Sequence, residues 1–233
     1  MKFPIAIATV TWIRTDEERH VVLNTLKVLN RIQVPIIVVD KSSPEDRKVI
    51  ESLENVSLFE SSSLTKQVFL AQTESAKIAD CIFYLQSDKQ DFAENTASLM
   101  VGEYKKLSSK GMLIPTRTPE SLQTYPEFQK TQEEFLNIFI SDYVGIENDY
   151  FAGPKIYPSS LVKYLGQLKG EVGWGIESFY YVLTKRLNMS FNFLECSIKA
   201  PNDVDDERKT HNYRLEITKW QIDAFLQGQK VIL

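Results

Sequence analysis

The segment Val34-Pro35-Ile36-Ile37-Val38-Val39 is a near-continuous apolar run that stops at Asp40. A strand with one face in water alternates apolar and polar residues, whereas a run that is apolar at every position needs cover on both faces and marks a buried parallel strand. Three more short apolar runs punctuate the first third of the chain, at Ile5 to Trp12, Val56 to Phe59 and Cys81 to Leu85. Helix patterns lie between them. Thr15-Asp16 offers an N-cap, and Glu17 and Glu18 place acids where the helix dipole favours them. Val21, Val22, Leu26, Val28 and Leu29 then form an apolar face that ends near Ile32. A second helix starts near Glu45, behind Asp40-Lys41-Ser42-Ser43-Pro44, and a third spans Leu64 to Ala79. Strands alternating with helices of this length predict an α/β fold, a mostly parallel central sheet with helices on both faces.

The second half is less regular. Helices are expected at Glu94 to Ser108, Glu133 to Ile140, Ser159 to Leu168, Ile176 to Leu187 and about Glu216 to Gln227, with a strand at Met112 to Pro115. A polar stretch from Thr116 to Lys130, a tight turn at Tyr150 to Pro154 and a charged loop at Pro201 to His211 separate them. No repeat or linker cuts the chain, so a single domain over residues 1–233 is expected.

Charge and composition narrow the function. Twenty-seven basic side chains against thirty-one acidic leave a net charge of -4, with no basic excess to neutralise a nucleic-acid polymer. No apolar run approaches the ~20 residues that span a bilayer. The start, Met1-Lys2-Phe3-Pro4, runs into Ile5-Ala6-Ile7-Ala8-Thr9-Val10, a stretch too short and too quickly polar for a secretion signal. Two cysteines, Cys81 and Cys196, cannot build a disulfide framework, so the cytoplasm is the expected compartment. Aromatic residues at 11% permit a self-association patch, and with it a homo-oligomer.

Ligands of doubly wound sheets bind outside the carboxyl ends of the strands. Three polar turns fall there: Thr11 to Arg14, Asp40 to Ser43 and Gln86-Ser87-Asp88. Asp88 suits a hard divalent cation, although a solvated loop acid reads the same way in sequence. Asp40 either accepts from a base or ribose or caps the next helix, a role for which Ser43 competes. Lys66, opening the third helix, is a point charge for a diphosphate or an ordinary surface lysine. Of two histidines, His20 sits on an amphipathic helix, and His211 in the late loop could ligate a metal. In Gly173-Trp174-Gly175-Ile176-Glu177 the glycines allow close backbone approach, and Glu177 either positions a hydroxyl acceptor or serves the helix dipole. There is no G-x-x-x-x-G-K-[ST], no G-x-G-x-x-G after the first strand and no G-x-S-x-G.

Taken in order, these features resemble the GT-A nucleotide-sugar glycosyltransferases, in particular the mannosylglycerate synthase type of mannosyl- and glucosyltransferase. Ile36-Ile37-Val38-Val39-Asp40-Lys41-Ser42-Ser43 is similar to the family's nucleoside-binding strand end. Phe83-Tyr84-Leu85-Gln86-Ser87-Asp88 resembles the strand that carries its D-x-D, with Gln86 in place of the first acid. Gly173 to Glu177 is similar to the W-G-x-E segment, and His211 to a late metal-binding histidine. The resemblance covers roughly residues 3 to 215 and implies a nucleotide-binding half at 1–90 and an acceptor half at 91–233. It implies a UDP- or GDP-linked donor bound by Thr11, Arg14, Asp40, Ser43, Lys66, Gln86, Ser87, Asp88, Tyr213 and Arg214. It further implies Mn²⁺ or Mg²⁺ on Asp88 and His211, Glu177 and Trp174 at the reacting centre, and a small hydroxyl acceptor beside Arg117, Asp149 and Gly153. Two rival classes share the sheet. A sugar-nucleotide nucleotidyltransferase normally has a glycine-rich basic loop where this chain has Thr11-Trp12-Ile13-Arg14-Thr15, and an inactive glycosyltransferase-like binding protein would be consistent with Gln86.

Overall fold

The computed structural model describes residues 2–107, 111–200 and 211–233, so the expected charged loop lies outside the described residues except for His211. The chain divides into two compact units, Met1–Ser108 with Pro154–Val162, and Ser109–Gly153 with Lys163–Leu233.

In the first unit the strands are β1 (Phe3–Thr11), β2 (Ile36–Asp40), β3 (Val56–Glu60), β4 (Ala79–Tyr84) and β6 (Lys155–Pro158). They run in the order β3-β2-β1-β4-β6. All neighbours are parallel except β4 and β6, which pair antiparallel from Cys81 opposite Pro158 to Tyr84 opposite Lys155. Every residue of β2 and all of β1 from Ile5 onward are buried. Because successive side chains point to opposite faces, both faces of the sheet are covered. Helix α3 (Leu64–Ile78) packs on β1, β2 and β4, whereas α1 (Asp16–Asn30) packs with α2 (Pro44–Glu51) and with α4 (Gln90–Phe92). The expected α/β arrangement with helices on both faces is therefore what the first unit shows.

Local chemistry explains the helix starts. Thr15 Oγ1 accepts from the Glu18 amide at 3.2 Å, and Ser43 Oγ accepts from the Asp46 amide at 3.2 Å with Pro44 at the first helical position. These satisfy amides that a helix N-terminus leaves open. The helix expected at Glu94 to Ser108 begins earlier: α4 runs through a π-helical turn, Ala93–Ala97, into α5 (Ser98–Lys106).

The second unit departs further from expectation. Strand β5 (Met112–Arg117) pairs in parallel with β7 (Phe191–Cys196), a strand the sequence reading did not include. The stretch read as polar loop holds α6 (Pro119–Gln123), capped by Thr118 Oγ1 on the Ser121 amide at 3.2 Å, and the first turn of α7 (Glu127–Val144). The segment Ser159–Gln167 is a 3₁₀ rather than an α-helix. Helix α8 (Ile176–Arg186) is buried from Ile176 to Thr184, and α9 starts at His211, ahead of the expected Glu216, and ends at Gln229. Tyr150 anchors the core, with ring centroids 5.1 Å from Tyr181, 6.4 Å from Phe191 and 5.6 Å from Phe193, all edge-to-face.

Candidate functional site

At the carboxyl edge of the first unit, Thr11 stands level with Asp40 across the β1–β2 pair. Asp40 is fully buried. Its Oδ1 accepts from Thr11 Oγ1 at 2.5 Å and Ser42 Oγ at 2.6 Å, and its Oδ2 accepts from the Ser42 amide at 2.8 Å, with Arg47 Nε 3.4 Å away. Gln67 Nε2 donates to the carbonyls of Thr11 at 3.1 Å and Val39 at 3.3 Å, and Ser87 Oγ donates to the Val10 carbonyl at 2.8 Å. Strand ends inside a protein leave carbonyls that must find partners, and these side chains supply them. Thr11, Asp40 and Ser87 thus form the floor of the edge, bonded to the protein itself. Ser43, not Asp40, is the cap of α2, and it also donates to Asp46 Oδ2 at 2.8 Å. The bond from Arg19 Nε at 2.6 Å holds the Asp46 carboxyl below the usual carboxylate range.

Other side chains face outward. Trp12, one residue past β1, is 49% exposed. The Arg14 guanidinium lies 4.8 Å and the Lys41 ammonium 4.3 Å from its ring centroid. Arg14 is anchored to Glu18, whose carboxylate takes its guanidinium at 2.5 Å and its amide at 2.7 Å. Lys66 is exposed in the first turn of α3. Gln86 and Asp88 are half-buried just beyond β4. Among the described residues, Gln86 Oε1 is buried with no hydrogen-bond partner. Trp12, Lys41, Ser42 and Gln67 were not among the expected site residues. Trp12 and Lys41 carried a legible signal, since each directly follows a strand that feeds the ligand edge.

The oxygen donors at the end of β4 fit a small hard cation. Mg²⁺-like ions take one or two protein oxygens and complete their shell with phosphate oxygens and water. Asp88 supplies one carboxylate there, and the unsatisfied Gln86 amide oxygen a neutral second donor. No group of three or more His, Cys, Asp or Glu side chains is placed to hold a metal among the described residues, so any ion there would have to complete its shell with water or ligand oxygens.

In the second unit the expected acceptor-side residues Arg117 and Asp149 are spent on each other. Asp149 accepts from Arg117 Nε at 2.7 Å, Nη2 at 2.9 Å and the Arg117 amide at 3.2 Å, and Arg117 Nη1 reaches Glu133 Oε2 at 2.6 Å. The Arg117 side chain is 1% exposed. Burial opposes the Asp149 charge, but the bonds and charge of Arg117 outweigh it and hold the carboxyl below its ordinary value. Burial pushes the Tyr125 phenol, stacked 4.6 Å from Arg117, up to about 12. Gly153 has φ 111, a conformation open to glycine at little cost.

His211 is the first residue of α9 rather than a loop residue, and its ring packs 5.2 Å from Phe128. Tyr213 and Arg214 lie on the same helix: Trp174 Nε1 donates to Tyr213 Oη at 3.1 Å, and Arg214 Nη2 donates to Gln129 Oε1 at 2.6 Å. The glycines around Trp174 have a packing explanation. A Cβ on Gly173 would sit 2.4 Å from the Trp220 ring, and one on Gly175 would sit 2.1 Å from the Trp220 carbonyl oxygen. Close approach is required there, by α9. Glu177 is buried in the first turn of α8. Burial, followed by the charges of Glu177 and Asp149, raises the Tyr181 phenol well above its ordinary value.

No family model matches this chain, and no curated protein matches it in sequence. Solved structures share its fold. A crystal structure of a mycobacterial protein superposes with a TM-score of 0.71 at 10% identity, over 99% of this chain and 76% of that one. Glucosyl-3-phosphoglycerate synthase from Mycobacterium tuberculosis in complex with UDP gives 0.70 at 11% identity, over 99% and 82%. The same synthase in complex with Mn²⁺, UDP-glucose and phosphoglyceric acid gives 0.70 at 10%, over 99% and 81%. The chain has the fold of these structures along nearly its whole length, as the GT-A resemblance implied.

Proposed function

We propose that this chain transfers a sugar from a nucleotide-diphosphate donor, UDP- or GDP-linked, to a small hydroxyl acceptor. The observation that carries the reading is a fold shared over 99% of the chain with a synthase bound to UDP-glucose. The edge of the first unit supports it, because Arg14 and Lys41 gather at the exposed Trp12 indole and Asp88 follows β4, all past the carboxyl ends of strands where such sheets bind ligands. Arg14, Lys41 and Lys66 offset the diphosphate charge, Asp88 and Gln86 orient it, and the Thr11–Asp40–Ser42 floor holds the strand ends in register. A divalent cation, Mn²⁺ or Mg²⁺, held by Asp88 and the Gln86 amide oxygen, would supply Lewis-acid charge at the leaving diphosphate. In the second unit Glu177 positions the acceptor hydroxyl and accepts its proton, and Trp174, bonded to Tyr213, shapes the acceptor surface. Catalysis by such a set rests on positioning and charge stabilisation. A cytosolic setting agrees with two free, buried cysteines, of which burial raises the Cys196 thiol to about 11.

The test is calorimetric titration with UDP and GDP, each with and without Mn²⁺, on the wild type and Asp88→Ala. Binding enhanced by Mn²⁺, with the enhancement absent in Asp88→Ala, is the expected result. Folded wild-type protein that binds neither nucleotide with metal present would refute the reading.

A further inference from the structure

We propose that the outer stripe of α7 is a docking surface for a basic amphipathic helix of another protein. The inference is independent of the sugar-transfer reading. The exposed residues of α7 are Glu127, Thr131, Glu134, Phe135, Ile138 and Asp142. At about 100° per residue they share one arc of about 100°, a continuous stripe that runs about 22 Å along the helix. Leu136, Ile140 and Val144 are buried on the opposite side. Phe139 and Tyr143 occupy the flank, where their ring centroids lie 4.5 Å and 4.9 Å from that of Phe225. Among the described residues, then, α9 packs beside the stripe and not on it.

The chemistry of the stripe selects its occupant. Phe135 and Ile138 are 52% and 65% exposed and stand three residues apart, so they are neighbours on the helix surface and make one apolar knob. Every charge on the stripe is negative, from Glu127, Glu134 and Asp142. The single base of the helix, Lys130, lies off the arc and is held by Glu127 at 2.6 Å. A second copy would bring two all-acid stripes together with no base on either, and like charges across an interface oppose association. An anionic lipid surface is repelled for the same reason. A helix with large apolar side chains along one face and Lys or Arg beside them meets both needs. Its apolar face covers Phe135 and Ile138, and its cations answer the three acids. About 15 residues of such a helix match the length of the stripe.

The experiment follows the fluorescence anisotropy of a labelled synthetic amphipathic helix of leucine and lysine, about 18 residues long, as the protein is added. A control peptide has glutamate in place of every lysine. The proteins are the wild type, Phe135→Ser with Ile138→Ser, Glu134→Lys with Asp142→Lys, and Glu51→Lys with Glu54→Lys, a pair of exposed acids in the first unit. The wild type is expected to bind the lysine peptide and not the glutamate peptide. Either stripe variant should weaken that binding by about 10-fold or more, and Glu134→Lys with Asp142→Lys should gain the glutamate peptide. The first-unit pair should keep the wild-type affinity. Wild-type protein that binds the lysine peptide no better than the control would overturn the proposal. Equal weakening by the first-unit pair would also overturn it, because the attraction would then be one of net charge. Sedimentation tests the rival occupant: self-association of the wild type that Phe135→Ser with Ile138→Ser abolishes would give the stripe to a second copy and overturn the proposal. The stripe variants should leave UDP binding unchanged, so the outcome is separate from that of the transfer reading.

Discussion

Arg117→Met would leave the Asp149 and Glu133 carboxylates buried without the guanidinium that now bridges them. Those side chains are 9% and 10% exposed, and three contacts from the Arg117 guanidinium reach them, so little water can replace the lost partner. Removing one member of a buried ion pair costs about 3–5 kcal/mol, because the remaining charge stays desolvated. For a chain of this size each kcal/mol is worth about 2–4 °C, so Tm should fall by about 6–20 °C. The pH dependence gives a second check. In the wild type the Asp149 carboxyl lies below its ordinary value, so its contribution is complete above the usual carboxylate pKa and fades as pH falls through the depressed one. In Arg117→Met the bonds from Asn137 and the residue-117 amide still favour the charged carboxylate, but burial is no longer opposed by the guanidinium, so the carboxyl's pKa rises relative to the wild type and protonation relieves the variant at a higher pH. The gap between the two proteins in urea unfolding should be widest near neutral pH and narrow toward pH 4. A loss under about 1 kcal/mol, or a gap that widens on acidification, would refute the assignment of Arg117 as the structural centre of this network.

Gly175→Ala should destabilise by about 1–3 kcal/mol in thermal melts, since its Cβ would meet Trp220 backbone at 2.1 Å, whereas Gly102→Ala, with nothing within 4 Å, should gain up to about 1 kcal/mol. Ser43→Ala should cost about 0.5–2 kcal/mol in denaturant titration by removing the cap of α2, with UDP affinity unchanged. Trp174→Phe, which loses the bond to Tyr213 Oη, should cost about 0.5–1.5 kcal/mol in stability, and any sugar-transfer rate should fall by more than that stability change accounts for.

What could be read from the sequence follows the range of the forces involved. Caps act over three residues, so Thr15 was visible at once and the cap of α2 was narrowed to Asp40 or Ser43, of which the structure uses Ser43. The unbroken apolar run of β2 announced cover on both faces, and with it the parallel sheet and the edge at which ligands sit. Strand β6 was hidden because it has four residues, ends in proline and contains a lysine that is 3% exposed. Strand β7 was hidden because Phe191-Asn192-Phe193 alternates over too short a span to stand out. Helix α7 looked shorter than it is because the polar residues up to Lys130 read as loop, while the fold holds Gln129 and Glu133 on one face toward Arg214 and Arg117.

The two units differ in how far their candidate sites could be foreseen, and the reason is contact distance along the chain. In the first unit the topology rule places each strand end at one edge, so Thr11, Asp40 and Asp88 could be singled out as candidates from local pattern. The rule does not say which side chain turns inward, and the donors Thr11 and Ser42 settle that for Asp40 while Trp12 is left outside. In the second unit each assignment depends on a distant partner. Trp220 explains the glycines beside Trp174, Phe128 packs against the still exposed ring of His211, and Asp149 claims Arg117 from 32 residues away. A glycine pair that close packing already requires carries no independent evidence for a ligand. Glu177 therefore has to be tested by its effect on acceptor use at fixed donor occupancy: Glu177→Gln should leave UDP affinity unchanged and lower the transfer rate, and equal loss of both would assign it to the structure of α8 alone.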